Sequence, residues 1–165
     1  MTTIVYRDGI LAADTRAYAG DSNPIGTKQK IYSLLDDNGM RISFGISTAA
    51  PGLSEEIRNW FFKDRHPDFE PQLGERGFTA LEIRGDEVYY YKDSFTPSGP
   101  LTADYFAIGS GQSFALGALT MGADARTAVE VAGMNDIWTN DKIVHIVHAE
   151  HVEDDEFEDD SPTVH

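Results

Sequence analysis

Through the first half of the chain, apolar residues come in short runs that alternate with polar ones, the period expected of strands with one covered face. Residues 3–6 and 10–13 flank Arg7-Asp8-Gly9, and residues 30–35 and 40–46 flank Asp36-Asp37-Asn38-Gly39. Asp-Gly and Asn-Gly tolerate the positive φ that tight hairpin turns demand, so both pairs are expected to be antiparallel hairpins. Residues 18–29, with Gly20, Pro24 and Gly26, read as a loop between them. After Pro51-Gly52 the period changes. Leu53, Ile57, Trp60 and Phe61 fall on one face of a helix over 53–63, with Ser54 as its N-cap.

Residues 64–77 carry Pro67, Pro71, Gly74 and Gly77 and are expected to hold no long helix. Strands at 78–83 and 87–92 follow, turned by Arg84-Gly85-Asp86, and a Pro-rich loop over 96–100 leads to a strand at 105–108. Two helical stretches, 112–121 and 124–137, break at Gly122-Ala123; Asp124 is the N-cap of the second, and Gly133 weakens it. A last strand covers 142–148. Hairpin strands give antiparallel sheets, and helices in two separate blocks can cover two outer faces. The order fits an α+β fold, a four-layer α–β–β–α sandwich of two antiparallel sheets. No internal repeat or linker divides it. Residues 1–149 are expected to form one domain, followed by a tail at 150–165.

Composition narrows the class. At 165 residues with 41% apolar content, the chain is long enough to bury a core without staples. No apolar run approaches the roughly 20 residues of a membrane span, and no basic-then-apolar leader is expected. There are no cysteines, which removes disulfides and thiolate chemistry and fits a soluble, cytoplasmic domain. The formal charge of −15 is unevenly placed: eight acids lie within 150–160 with no Lys or Arg among them, and setting them aside leaves −7. Such a block reads as a solvated, disordered tail, because the Asp/Asn-spaced loop of a calcium site is missing. An acidic body also argues against nucleic acid as a partner.

Candidate chemistry begins at the second residue. A small residue after the initiator methionine usually lets that methionine be removed, which would leave Thr2 as the amino terminus. Its hydroxyl and free α-amine would then make a self-contained nucleophile and base, since an α-amine titrates at roughly 7.7–8.0. Thr at this position is common and alone says little. Asp14-Thr15-Arg16 ends a strand, either as a paired, used cluster or as an exposed turn with a surface ion pair. Lys30 opens an otherwise apolar strand; pointing into a sandwich it would lower the proton affinity of a neighbouring amine, and pointing out it would be an ordinary surface lysine. Gly109-Ser110-Gly111 sits between a strand and a helix but lacks the third glycine of a dinucleotide fingerprint, so it reads as a tight turn presenting Ser110 and helix-terminal amides. The run from Asp136 to Asn140 reads by itself as a polar helix terminus. His145, His148 and His151 are spaced by three, which on a strand sends the first two to opposite faces, so no metal site is expected there.

Together these segments resemble the proteasome β-subunit family, especially the bacterial HslV-type peptidase. The matching stretches are Thr2-Thr3-Ile4-Val5, the run from Gly9 to Arg16, Lys30-Ile31, the run from Gly45 to Ala50, the run from Phe106 to Gly111, and Trp138-Thr139-Asn140. They keep the family's order and nearly its spacing across most of residues 2–148. The resemblance implies the N-terminal-nucleophile hydrolase fold and a threonine peptidase with no metal or other cofactor. Thr2 would be the nucleophile and its α-amine the general base, with Lys30 keeping the amine neutral and Asp14 pairing the lysine. Ser110 and Asp136 would bond the terminal amine and hydroxyl, with Gly109, Gly111 and Thr139 beside them and Arg16 adding electrostatic support. The partners it implies are a polypeptide substrate, other copies of the chain in a ring, and an unfolding ATPase. In two places the chain departs from the family. The glycine-containing oxyanion turn becomes Gly45-Ile46-Ser47-Thr48-Ala49-Ala50, where the amide comes from Ser47, Thr48 or Ala49. The two long helices that pack ring against ring reduce to one, at 53–63. Two other readings compete: a non-catalytic ring-forming scaffold, and an amidohydrolase acting on a small amide.

Overall fold

The computed structural model describes residues 2–19 and 23–149. The chain builds two antiparallel sheets stacked face to face. One has the strand order β10-β1-β2-β11, from β1 (Thr3–Arg7), β2 (Ile10–Asp14), β10 (Tyr105–Gly109) and β11 (Ile143–Val147). The other has the order β5-β6-β7-β8-β9, from β5 (Ile31–Leu35), β6 (Arg41–Ser47), β7 (Thr79–Arg84), β8 (Glu87–Lys92) and β9 (Ser98–Leu101). Helix α1 (Leu53–Phe62) covers the outer face of the second sheet, and α2 (Gln112–Thr120) and α3 (Ala125–Asn135) cover the first.

The period-2 alternation explains why every layer is filled. On β1, Ile4 enters the core between the sheets with Leu11, Ile31, Leu81, Ile83 and Ile108, while Val5 faces α2 and α3 with Ala115, Leu119 and Ala128. On β6, Phe44 and Ile46 turn the other way and pack under Leu53, Ile57, Trp60 and Phe61 of α1. This is the α–β–β–α sandwich expected from the pattern. Asp124 caps α3 as expected, accepting from the Thr127 amide at 2.7 Å.

Three local expectations need correction. Residues 18–29 are not simply a loop: β3 (Arg16–Ala19) and β4 (Asn23–Thr27) form a two-stranded ribbon. All of β4 is exposed and it contains Pro24 and Gly26, so it lacks the alternation that a covered face imposes. Residues 98–101 of the Pro-rich stretch form edge strand β9, where Pro100 is tolerated. Ser54 lies inside α1 rather than capping it; Gly52 occupies the N-cap with a positive φ, and the Ser54 hydroxyl donates to Glu55. Residues 64–77 hold only a 3-10 turn at Pro67–Phe69, in line with their Pro and Gly content. The acidic stretch 150–165 and His151 lie outside the described residues.

Candidate active site

Strand register gathers the candidate residues at one end of the sandwich. Thr3 pairs with Gly109, Ile4 with Ala13, and Ile143 with Asp14, so the start of β1, the end of β2 and the end of β10 lie side by side. Ile31 pairs with Gly45 in the second sheet, which brings Lys30 and the end of β6 to the same place. Gly45 allows this closeness: a Cβ there would meet Ile4 side-chain carbons at 2.9 Å.

Asp14 is the hub. It is fully buried, and five groups donate to its carboxylate. Oδ1 accepts from the Thr2 hydroxyl at 2.7 Å, the Thr3 amide at 3.0 Å and Lys30 Nζ at 3.0 Å. Oδ2 accepts from Lys30 at 3.1 Å, the Arg16 amide at 3.2 Å and the Asn140 amide at 3.3 Å. Lys30 is itself 5% exposed. Burial pulls its pKa below the ordinary lysine value, with Asp14 opposing the fall and Lys28 and Arg16 adding to it. Of the two readings of Lys30, the inward one is observed.

A second chain of hydrogen bonds runs behind Thr2. The Thr2 nitrogen donates to Ser110 Oγ at 3.1 Å, and Ser110 Oγ donates to Asp136 Oδ2 at 2.7 Å. Thr139 Oγ1 donates to the same Asp136 oxygen at 2.6 Å. Because that uses the only Thr139 hydroxyl proton, the 2.8 Å contact between Thr3 Oγ1 and Thr139 Oγ1 has Thr3 as donor. Asp136 reaches this position as the residue that ends α3 in an extended conformation.

The Gly-Ser-Gly turn fits for steric reasons. Gly109 has φ +102°, and a Cβ there would fall on the Thr2 carbonyl oxygen. A Cβ on Gly111 would strike Thr3 Oγ1, while the Gly111 amide donates to Thr2 O at 3.3 Å. The turn thus wraps the Thr2 backbone; the sequence suggested a tight turn here, without showing what it would enclose.

A cleft opens beside Thr2, lined by Arg16, Ala17, Tyr18, Lys28, Lys30, Ile46, Thr48, Ala49, Ala50, Pro51 and Ser54. The Thr48 hydroxyl donates to Gly77 O and accepts from the Ala50 amide, while the Thr48 and Ala49 amides have no partner among the described residues. Ser47 is different: it ends β6 opposite Thr79, is buried, and does not line the cleft. The Arg16 guanidinium sits at the rim, donating to Tyr18 Oη and Ile137 O.

Thr3, Thr15, Lys28 and Asn140 were not singled out as site residues from sequence. Asn140 clamps the site twice, through its amide on Asp14 and its side-chain oxygen on the Thr15 amide at 3.0 Å. These roles run through backbone amides or neighbours of neighbours, which leave no residue-type signature. The two histidines diverge, His145 toward Arg126 and His148 toward Ser43 and the Gly85 carbonyl. Among the described residues no three potential metal ligands converge, and no helix is long and apolar enough to cross a membrane.

The layered sandwich has the proteasome β-type fold. Among solved structures it is similar to HslV from Trypanosoma brucei, with a TM-score of 0.62 at 17% identity, covering 88% of this chain and 97% of that one. A Thiobacillus denitrificans BPH structure in complex with epoxomicin gives 0.63 at 18% identity, covering 92% and 99%. The helical assembly of the Anbu complex from Pseudomonas aeruginosa gives 0.58 at 11% identity, covering 88% and 80%. No protein-family model and no curated protein matches the chain.

Proposed function

We propose that the chain is a threonine-type endopeptidase in which Thr2, exposed as the amino terminus by loss of Met1, hydrolyses peptide bonds of unfolded polypeptide. The observation that carries this reading is the meeting of Thr2 Oγ1 and Lys30 Nζ on one fully buried carboxylate, at 2.7 and 3.0 Å. Burying a cation and an anion costs several kcal/mol per ion before they pair, an arrangement with no evident purpose beside a structural hydroxyl.

In this reading the α-amine, held by Ser110, takes the Thr2 hydroxyl proton as Oγ1 attacks the substrate carbonyl carbon. Lys30 keeps that amine neutral, because a neighbouring cation disfavours a second ammonium. The Thr48 or Ala49 amide on the cleft wall receives the oxyanion. Collapse breaks the C–N bond, and the Thr2 ammonium returns its proton to the leaving amine. Water, deprotonated by the same amine, then hydrolyses the ester on Thr2.

The peptidase works as one subunit of a homo-oligomer in the cytoplasm, supplied by an unfolding ATPase. Self-association is supported by apolar side chains left in solvent on and just after α2 and α3, Met121, Met134 and Ile137, and by the assembly seen for the Pseudomonas neighbour. Lack of cysteine fits a reducing compartment.

Intact mass and a peptide epoxyketone, the chemical class of the epoxomicin in the Thiobacillus complex, test the chemistry together. The probe needs both a threonine hydroxyl and a free α-amine, so it should label a chain lacking Met1, and only at Thr2. Thr2→Ala and Lys30→Ala should each abolish peptide cleavage. Retained Met1, or a free Thr2 that resists labelling, would remove the peptidase reading in favour of a scaffold.

A further inference from the structure

The cleft beside Thr2 is lined by three cations, Arg16, Lys28 and Lys30, and by no acidic side chain, on a chain whose formal charge is −15. Two of these cations are balanced from behind the lining, Lys30 by Asp14 and Lys28 by Glu55 at 3.0 Å. Arg16 makes no ion pair among the described residues, so the cleft keeps a net positive charge. Lys28 Nζ donates to Ser54 Oγ at 2.9 Å and to Glu55, which tethers the ammonium at the mouth. Its third N–H has no partner among the described residues. Small residues, Ala17, Ala49, Ala50 and Ser54, share the lining with Tyr18, Ile46 and Pro51.

We infer that this cleft selects peptides with a carboxylate side chain on the residue supplying the scissile carbonyl, with Lys28 as the residue that recognises it. The proposal rests on the reading of Thr2 as nucleophile. A carboxylate accepts the remaining Lys28 N–H and meets the uncompensated Arg16 charge. A basic side chain would face the uncompensated Arg16 charge and find no acceptor on Lys28. An apolar one supplies no acceptor for the Lys28 N–H and no charge to meet Arg16.

The test uses the full chain and three fluorogenic peptides that differ only in Glu, Leu or Lys before the leaving group. Glu should give the highest kcat/KM, by about tenfold over Leu, the size expected of one charge pair between water and a partly screened surface. Lys28→Met should bring the Glu-to-Leu ratio close to one. Exchanging the pair, Lys28→Glu with Glu55→Lys, keeps the local ion pair and should turn the preference toward Lys. A Leu or Lys preference in the native chain, or a Glu-to-Leu ratio unchanged by Lys28→Met, overturns the inference while leaving epoxyketone labelling of Thr2 intact. Failure of a neutral epoxyketone to label Thr2 overturns the nucleophile reading, and the inference with it.

Discussion

Asp14 and Lys30 form one ion pair, yet removing either partner should have unequal consequences. Asp14→Asn keeps the shape and deletes the charge. Both edges of the carboxylate face donors: Thr2 Oγ1, the Thr3 amide and Lys30 on one side, Lys30 and the Arg16 and Asn140 amides on the other. Either orientation of an Asn side chain therefore sets an NH2 group against N–H donors, and a buried ammonium loses its counter-charge. The expected loss is about 3–5 kcal/mol, which for a chain of this size lowers the melting temperature by roughly 6–20 °C. Lys30→Met leaves the carboxylate four other donors and should cost only about 1–3 kcal/mol. The pH dependence separates the two further. Lys30 has a folded pKa below its ordinary value, so between the two values the unfolded chain holds the extra proton and stability rises with pH. Without the carboxylate that opposes the fall, this window widens in Asp14→Asn. Its deficit against the native chain should narrow as pH rises toward about 10. Urea unfolding of the three proteins in a pH series measures both effects. A Lys30→Met loss equal to or above that of Asp14→Asn, or a deficit that is flat with pH, would refute this account of the hub.

Three further outcomes are expected. Gly111→Ala places a Cβ on Thr3 Oγ1 and within 3.1 Å of Thr139 Oγ1, and should cost about 1–3 kcal/mol in urea unfolding while slowing epoxyketone labelling. Burial holds the His148 pKa below its ordinary value, so its contribution to stability is full above about 6.5 and is lost as pH falls through the folded value; His148→Gln should flatten that slope. If a substrate carboxylate enters the cleft, it favours the ammonium form of the Thr2 amine, and the acid limb of kcat should lie at higher pH than that of kcat/KM for Glu substrates but not for Leu substrates.

Much of this architecture was legible because the code that writes it is local. Alternation over Thr3–Arg7 and the Asp8-Gly9 and Asn38-Gly39 turns announce hairpins, and Leu53, Ile57, Trp60 and Phe61 announce a helix face. The ribbon of β3 and β4 was not legible, since an exposed strand has no buried face to impress a period on it. The site divides along the same line. Thr2, Asp14 and Lys30 meet through their side chains, and Ser110 and Asp136 bond each other beside the Thr2 nitrogen; residue type and order along the chain pick these five out. Asn140 and Thr3 serve Asp14 through backbone amides, which every residue but proline owns.

That division explains how the cluster can exist at all. A carboxylate buried with one lysine would recover little of its desolvation cost, and a lysine buried alone would lose its proton. Here the starts of β1 and β3 and the segment before β11 supply three amides, from Thr3, Arg16 and Asn140, before any side chain is chosen. They stabilise the Asp14 anion independently of Lys30, so the lysine is free to be tuned downward by burial and by the Arg16 and Lys28 charges without unfolding the site. On the proposed reading of Thr2, the positive cleft would have two effects from one cause. It would hold the neighbouring amine neutral before substrate binds, and it would give an acidic substrate side chain somewhere to bind.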